Sequence, residues 1–276
     1  MTTRPAGRRR RGRGAWTPVV ALVVALAAGC GEGGGRAPTP APGASAPSTS
    51  TTTVPAAAAR PCLKPAEQAK LFRFGTAEGS TLVGLLLGTG RRGVVLGHQL
   101  GSDLCEWLPQ ARAFARRGYR ALVFDFAGFG DSRHGPADSR VDTDVVAAAE
   151  QLRRRGAYRI VLVGSSMGGT AVLSAATRIR PPVAGVVSLS GASSIGGVDA
   201  EAAMARLRVP VLFVVAADDR PFREQARLMY RAARVRDKRL LVIPGGGHGT
   251  GLLEFGDDAP RVRATVAGFV ADRTRA

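Results

Sequence analysis

At 276 residues, 45% of them apolar, the chain holds one sizeable domain with extensions and can build a real core. The formal charge is +18, but six arginines stand before residue 14, and without residues 1–29 the balance falls to 33 basic against 21 acidic side chains. That remainder is spread along the chain with no basic run interleaved with aromatics, so it reads as solvated surface with at most a non-specific pull toward an anionic envelope, and no nucleic-acid partner is expected.

In chain order, residues 4–13 are basic and Val19–Ala28 is an apolar run too short to span a bilayer comfortably. Small residues follow, ending in Leu26-Ala27-Ala28-Gly29-Cys30. A basic start, a short apolar middle and small residues before a break describe a secretory signal peptide over residues 1–29. Leu26–Cys30 also resembles the bacterial lipobox. That resemblance implies that Cys30 becomes the lipid-modified first residue of the mature protein, held outside the cytoplasmic membrane by a lipid anchor. Residues 30–60 are rich in Gly, Ala, Pro, Ser and Thr, without apolar periodicity, which reads as a disordered tether. Cys62 and Cys105 would then sit in an oxidising compartment, and a disulfide between them is expected, with two buried thiols as the alternative.

From residue 61 to 276, apolar runs alternate with helical patterns. Leu71–Phe74 and Thr81–Leu87 read as an antiparallel pair, followed by a short buried strand at Val94–Gly97. Leu104–Arg117 has helical spacing, and Tyr119–Phe126 reads as a strand. Val141–Arg155 reads as a helix with Asp138 or Ser139 as its cap. The strand Ile160–Val163, a helix from Thr170 to Arg178 and the strand Val183–Leu189 come next. A short helix near Ala200–Leu207, strand Val211–Val215, helix Pro221–Ala233, strand Leu240–Ile243 and helix Pro260–Ala271 complete the chain. Such alternation predicts an α/β fold, with a mostly parallel sheet covered on both faces and ligand sites at the carboxyl ends of the strands.

Gly164-Ser165-Ser166-Met167-Gly168 lies between a strand and a helix, the setting of a G-x-S-x-G nucleophile elbow. Ser166 is the candidate nucleophile. A serine hydroxyl needs a base, and the base needs an orienting acid. Of three histidines, His248 follows the last strand, in Gly245-Gly246-Gly247-His248-Gly249, and is the candidate base. His98 ends a strand and is read as structural, its ring bonded to backbone; His134 is read as surface. The acid is expected where Val211–Val215 runs into Ala216-Ala217-Asp218-Asp219. Both carboxylates are candidates, and one of them can instead cap the following helix.

Five segments resemble the α/β-hydrolases in order and spacing: Val94–His98, Asp125–Ser132, the elbow, Ala216–Asp219 and Gly246–Gly249. The resemblance implies a Ser166-Asp219-His248 triad, with Asp218 as the alternative acid. It also implies oxyanion donors at the main-chain N–H groups of Met167 and Leu100. The usual Gly after His98 is Gln99 here, which makes Gln99 an alternative donor. Where the family's loop after the fourth strand carries Arg, this chain has Ala127, and the loop is read as structure beside the site. Only about 20 residues separate Leu189 from Val211, so a large cap domain does not fit and the site should be open, as in small esterases and dienelactone hydrolases. The histidines are dispersed, so neither a metal nor a cofactor is expected. The chain is read as a monomeric serine hydrolase of small-molecule carboxylic esters or related acyl compounds. Acyltransferase or peptidase chemistry on the same triad, or a non-catalytic binding protein of this fold, are the alternatives.

Overall fold

The computed structural model describes residues 59–137 and 140–275. The expected leader, Cys30, most of the tether and the caps Asp138 and Ser139 lie outside the described residues. Helix α1 (Pro65–Gln68) precedes the antiparallel pair β1 (Phe72–Gly75) and β2 (Thr81–Leu87). Then come β3 (Arg92–Gly97), α2 (Leu108–Arg116), β4 (Tyr119–Phe124), α3 (Val141–Arg154), β5 (Arg159–Ser165) and α4 (Met167–Arg178). After β6 (Gly185–Leu189), a small hairpin of β7 (Ser194–Ile195) and β8 (Val198–Asp199) leads into α5 (Ala200–Met204). The chain ends with β9 (Val211–Ala216), α6 (Phe222–Ala232), β10 (Lys238–Ile243), α7 (Gly251–Glu254) and α8 (Ala259–Thr274).

The main sheet has eight strands in the order β1-β2-β4-β3-β5-β6-β9-β10. Only β2 pairs antiparallel, with β1 and β4. The other pairings are parallel, as expected for strands joined by crossover helices. Successive residues of the central strands feed opposite faces. Val95, Ile160 and Leu162 pack in the core beneath α3 and α4, whereas Val94, Leu96, Val161 and Val163 pack in the core that includes Leu108 of α2 and Val262 of α8. Burial on both faces is why these strands read as unbroken apolar runs.

The helix predicted over Leu104–Arg117 divides. Leu104–Trp107 is a 3₁₀ turn whose Cys105 N–H is capped by Asp103 Oδ1 at 2.8 Å, and α2 begins only at Leu108. Pro109 has no N–H to give to the carbonyl four residues back, so an α-helical ladder cannot run unbroken through this point.

Arg60, assigned from sequence to the end of the tether, belongs to the fold. Its guanidinium is 8% exposed and pairs with Asp125 and Asp131. Two residues on, Cys62 is disulfide-bonded to Cys105, with their Cα atoms 5.9 Å apart. The start of the domain is thereby fastened to the 3₁₀ turn that follows β3.

Strands β3 and β5 are neighbours, with Gly97 opposite Gly164 in register. The chain leaves β3 toward β4 on one side and leaves β5 toward β6 on the other. Their carboxyl ends therefore frame a topological switch point, where open parallel sheets form crevices.

Candidate active site

Ser166 stands at that switch point, between the end of β5 and the start of α4. Its backbone has φ 47° and ψ −113°, a conformation L-residues rarely adopt. The glycines around it are sterically required. A Cβ on Gly164 would collide with the Gly168 carbonyl, and one on Gly168 would lie 2.7 Å from the His98 carbonyl oxygen. The sharp turn thus rests on close backbone approach, and it lifts the Ser166 side chain to the end of the sheet. Among the described residues no group hydrogen-bonds to the Ser166 hydroxyl.

His248 lies in the loop after β10. Its Nδ1 is 3.1 Å from Asp219 Oδ1 and 3.0 Å from Oδ2. A carboxylate can only accept, so Nδ1 carries a proton toward Asp219, and in the neutral ring Nε2 is the nitrogen left to act as a base. Phe222, at the start of α6, packs on the imidazole with ring centroids 4.4 Å apart. Asp219 is nearly buried, whereas His248 keeps a third of its side chain exposed. The loop is pressed against the elbow, since a Cβ on Gly249 would lie 3.3 Å from Ser165 Cβ. Of the two candidate acids, the fold brings Asp219 to His248. Asp218 is exposed, and its main-chain N–H donates to the Gly245 carbonyl at 3.0 Å.

The loop after β3 supplies the other wall. His98 is fully buried, its Nδ1 2.8 Å from the Gln99 carbonyl, and its Nε2 accepts the Phe126 N–H at 3.0 Å. Burial lowers its pKa, and Nε2 accepts while Nδ1 donates, so the neutral ring pins two loops together. The Gln99 main-chain N–H is committed to Glu106 Oε2 at 2.9 Å, so it is not available as an oxyanion donor. Gln99 Oε1 is buried without a partner among the described residues, close to Gly249. The main-chain N–H groups of Leu100 and Met167 bond to no acceptor among the described residues, Met167 because it opens a helix.

Leu100 and Met167 share the wall of a cleft of about 360 Å³, lined also by Phe129, Val141, Ile195 and Asp144. His134, read from sequence as surface, is exposed but belongs to this wall. A separate apolar groove of about 400 Å³ between α2 and α8 contains none of the site's residues. Among the described residues no cluster of His, Cys, Asp or Glu could hold a metal ion.

Three groups here were not singled out in the sequence. Glu106, in the 3₁₀ turn, bonds both the Gln99 N–H and the Ser165 hydroxyl, joining the loop after β3 to the elbow. Phe222 buttresses His248. Asp144, on the first turn of α3, accepts the Ala127 N–H at 2.8 Å. None sits in a local motif, and only the β7–β8 hairpin, which brings Ile195 to the cleft, had a sequence signal, the dipeptide Gly196-Gly197.

Comparison with known proteins agrees with this architecture. The family model for the alpha/beta hydrolase fold matches residues 94–205. The uncharacterized protein YfhR of Salmonella typhi is 35% identical over 75 residues, 26% of this chain and 24% of that protein. A 2-hydroxy-6-oxononadienedioate/2-hydroxy-6-oxononatrienedioate hydrolase of Burkholderia vietnamiensis is 34% identical over 110 residues, 38% of each chain. The chain thus spans between a quarter and two-fifths of the curated relatives it matches. Among solved structures, an esterase from Pyrococcus furiosus superposes with a TM-score of 0.65 at 15% identity, over 75% of this chain and 91% of its own. Motif order, family model and superposition agree on the fold: the chain has an alpha/beta hydrolase fold with a mostly parallel central sheet.

Proposed function

We propose that the protein is a serine hydrolase of carboxylic esters. The observation that carries this reading is the His248–Asp219 pair, held on a loop packed against the strained Ser166 elbow. Ser166 Oγ attacks the ester carbonyl and gives its proton to His248 Nε2. Asp219 keeps Nδ1 protonated and stabilises the imidazolium that forms. The N–H groups of Leu100 and Met167 receive the oxyanion, the step in which a positioned donor is worth most. The imidazolium then protonates the departing alcohol, and water, activated by the same base, releases the acid. A hydrolase among the relatives and an esterase among the structural neighbours support this chemistry over a non-catalytic role.

The test is labelling with a fluorophosphonate, together with hydrolysis of p-nitrophenyl esters. Wild type should label at Ser166 and turn over short esters. Ser166→Ala should not label, and His248→Ala should label and hydrolyse at least about 10³-fold more slowly. Equal labelling of wild type and His248→Ala would sink the mechanism.

The leader-like residues before Cys30 support a site of action outside the cytoplasmic membrane, on a lipid anchor. Incorporation of radiolabelled palmitate that disappears in Cys30→Ala tests this. Equal incorporation by both would overturn it.

A further inference from the structure

Asp144, a residue the proposed chemistry does not use, lines the same cleft as Met167, the neighbour of Ser166. Asp144 is 1% exposed. Its Oδ2 accepts the Ala127 N–H, while Oδ1 is buried and has no hydrogen-bond partner among the described residues. Unpartnered buried polar atoms are costly and rare, so each asks for an explanation. No described cation pairs with Asp144. The nearby Asp142 already takes Arg140, Arg178 and Ser174. Glu78, from the turn between β1 and β2, adds negative charge, and His134 is the other titratable group on the wall. Burial first, then Glu78 and Asp142, push the Asp144 carboxyl up to about 7 against the bond from Ala127. The protonated acid places a single O–H donor at Oδ1, since Oδ2 is already occupied.

We infer that Asp144 anchors an acyl-chain subsite that selects esters bearing a ketone oxygen on the chain, held by the Oδ1–H donor. The assignment to the acyl side rests on the esterase reading. The leaving alcohol must depart beside His248, and neither His248 nor Phe222 lines this cleft, whereas the proposed oxyanion residues Leu100 and Met167 do. Phe129, Val141 and Ile195 offer apolar surface to methylenes. A carboxylate on the chain would set a second acid against Asp144, to which Glu78 and Asp142 already add negative charge. A ketone accepts without carrying charge.

The experiment compares p-nitrophenyl 5-oxohexanoate with p-nitrophenyl hexanoate from pH 5.5 to 8.5. It uses wild type, Asp144→Asn and Asp144→Leu, and adds NMR titration of Ser166→Ala with the non-reacting 5-oxohexanamide and hexanamide. In wild type the oxo ester should be favoured in kcat/KM by about tenfold at pH 6, and the ratio should shrink as pH rises through 7. Asp144→Asn, whose amide donates at every pH, should keep the preference and lose its pH dependence. Asp144→Leu should bring the ratio to about one. If Asp144→Leu does not fold, the flat profile of Asp144→Asn carries the test. A wild-type ratio of one, or a preference retained in Asp144→Leu, overturns the inference. Tighter binding of 5-oxohexanamide by Ser166→Ala without ester turnover in wild type would reject the esterase reading and leave the subsite standing. Ester turnover with no oxo preference in either readout would do the reverse.

Discussion

The carboxylate of Glu106 accepts the hydroxyl of Ser165, the residue immediately before the candidate nucleophile. Its other oxygen takes the Gln99 N–H, so one side chain fixes the distance between the two loops that carry the proposed oxyanion donors. Leu100 follows Gln99 and Met167 follows Ser166, so an error at Glu106 propagates to both proposed donors. Glu106→Ala should lower kcat about 10- to 100-fold, short of the ~10²–10³ lost when a donor itself is removed. KM should change little, because the ground-state carbonyl leans less on the donors than the oxyanion does. Ser165→Ala removes one of the two bonds and should fall between wild type and Glu106→Ala. Steady-state kinetics on a p-nitrophenyl ester reads this out, and an effect confined to KM would show that Glu106 shapes the pocket instead.

The elbow glycines make a stability prediction. A Cβ on Gly164 would lie 2.8 Å from the Gly169 nitrogen as well as striking the Gly168 carbonyl, and these are backbone atoms that cannot rotate away. Gly164→Ala and Gly168→Ala should each cost at least about 2 kcal/mol, at the upper end of ordinary substitutions. Gly246→Ala is the control, since a Cβ there meets nothing. Urea unfolding that finds all three alike would mean that the elbow relaxes freely.

Much of this was legible because it is written locally. Strands β3, β5, β6 and β9 are buried on both faces and read as runs of Val, Leu and Ile. The elbow and the Gly-rich loop around His248 announce themselves by glycine spacing. The resemblance at the acid turn favours Asp219 over Asp218, and the fold supplies the physical reason: adjacent residues in a turn point apart, and only Asp219 reaches His248. Glu106 reaches Ser165 across 59 residues, and Phe222 and Asp144 likewise act on partners outside any local motif. Arg60 was lost to the composition of its neighbours: a lone arginine at the end of a polar tract looks solvated until Asp125 is seen beneath it.

The start of the domain yields a third prediction. The bond between Cys62 and Cys105 closes 43 residues, which the chain-entropy account values at about 4 kcal/mol before any native-state cost. Cys62→Ala/Cys105→Ala should lose about 2–4 kcal/mol in urea unfolding, and reductant should shift wild type toward the double variant. Arg60→Met should lose about 3–5 kcal/mol on its own, because it leaves the Asp125 carboxylate buried without its cation. An Arg60→Met variant as stable as wild type would mean that the terminal segment merely rests on the domain.

The buried Asp144 gives the protein a stability term of unusual sign. Burial, with Glu78 and Asp142, raises its folded pKa to about 7, far above an ordinary carboxyl. Folding therefore binds a proton between about pH 4 and pH 7, so this term favours the native state at low pH and is lost as pH rises through that window. Paired acids such as Asp142, whose pKa is lowered despite the desolvation of burial by bonds from Arg140, Ser174 and Arg178, behave the opposite way and are shared by wild type and variant. The difference between Asp144→Asn and wild type isolates Asp144. The variant should gain up to about 4 kcal/mol relative to wild type between pH 4 and pH 7.5, and no more above that. Parallel urea titrations at pH 5, 6, 7 and 8 measure it. A difference independent of pH would show that the Asp144 carboxyl is ionised throughout, and that Oδ1 finds a donor in solution.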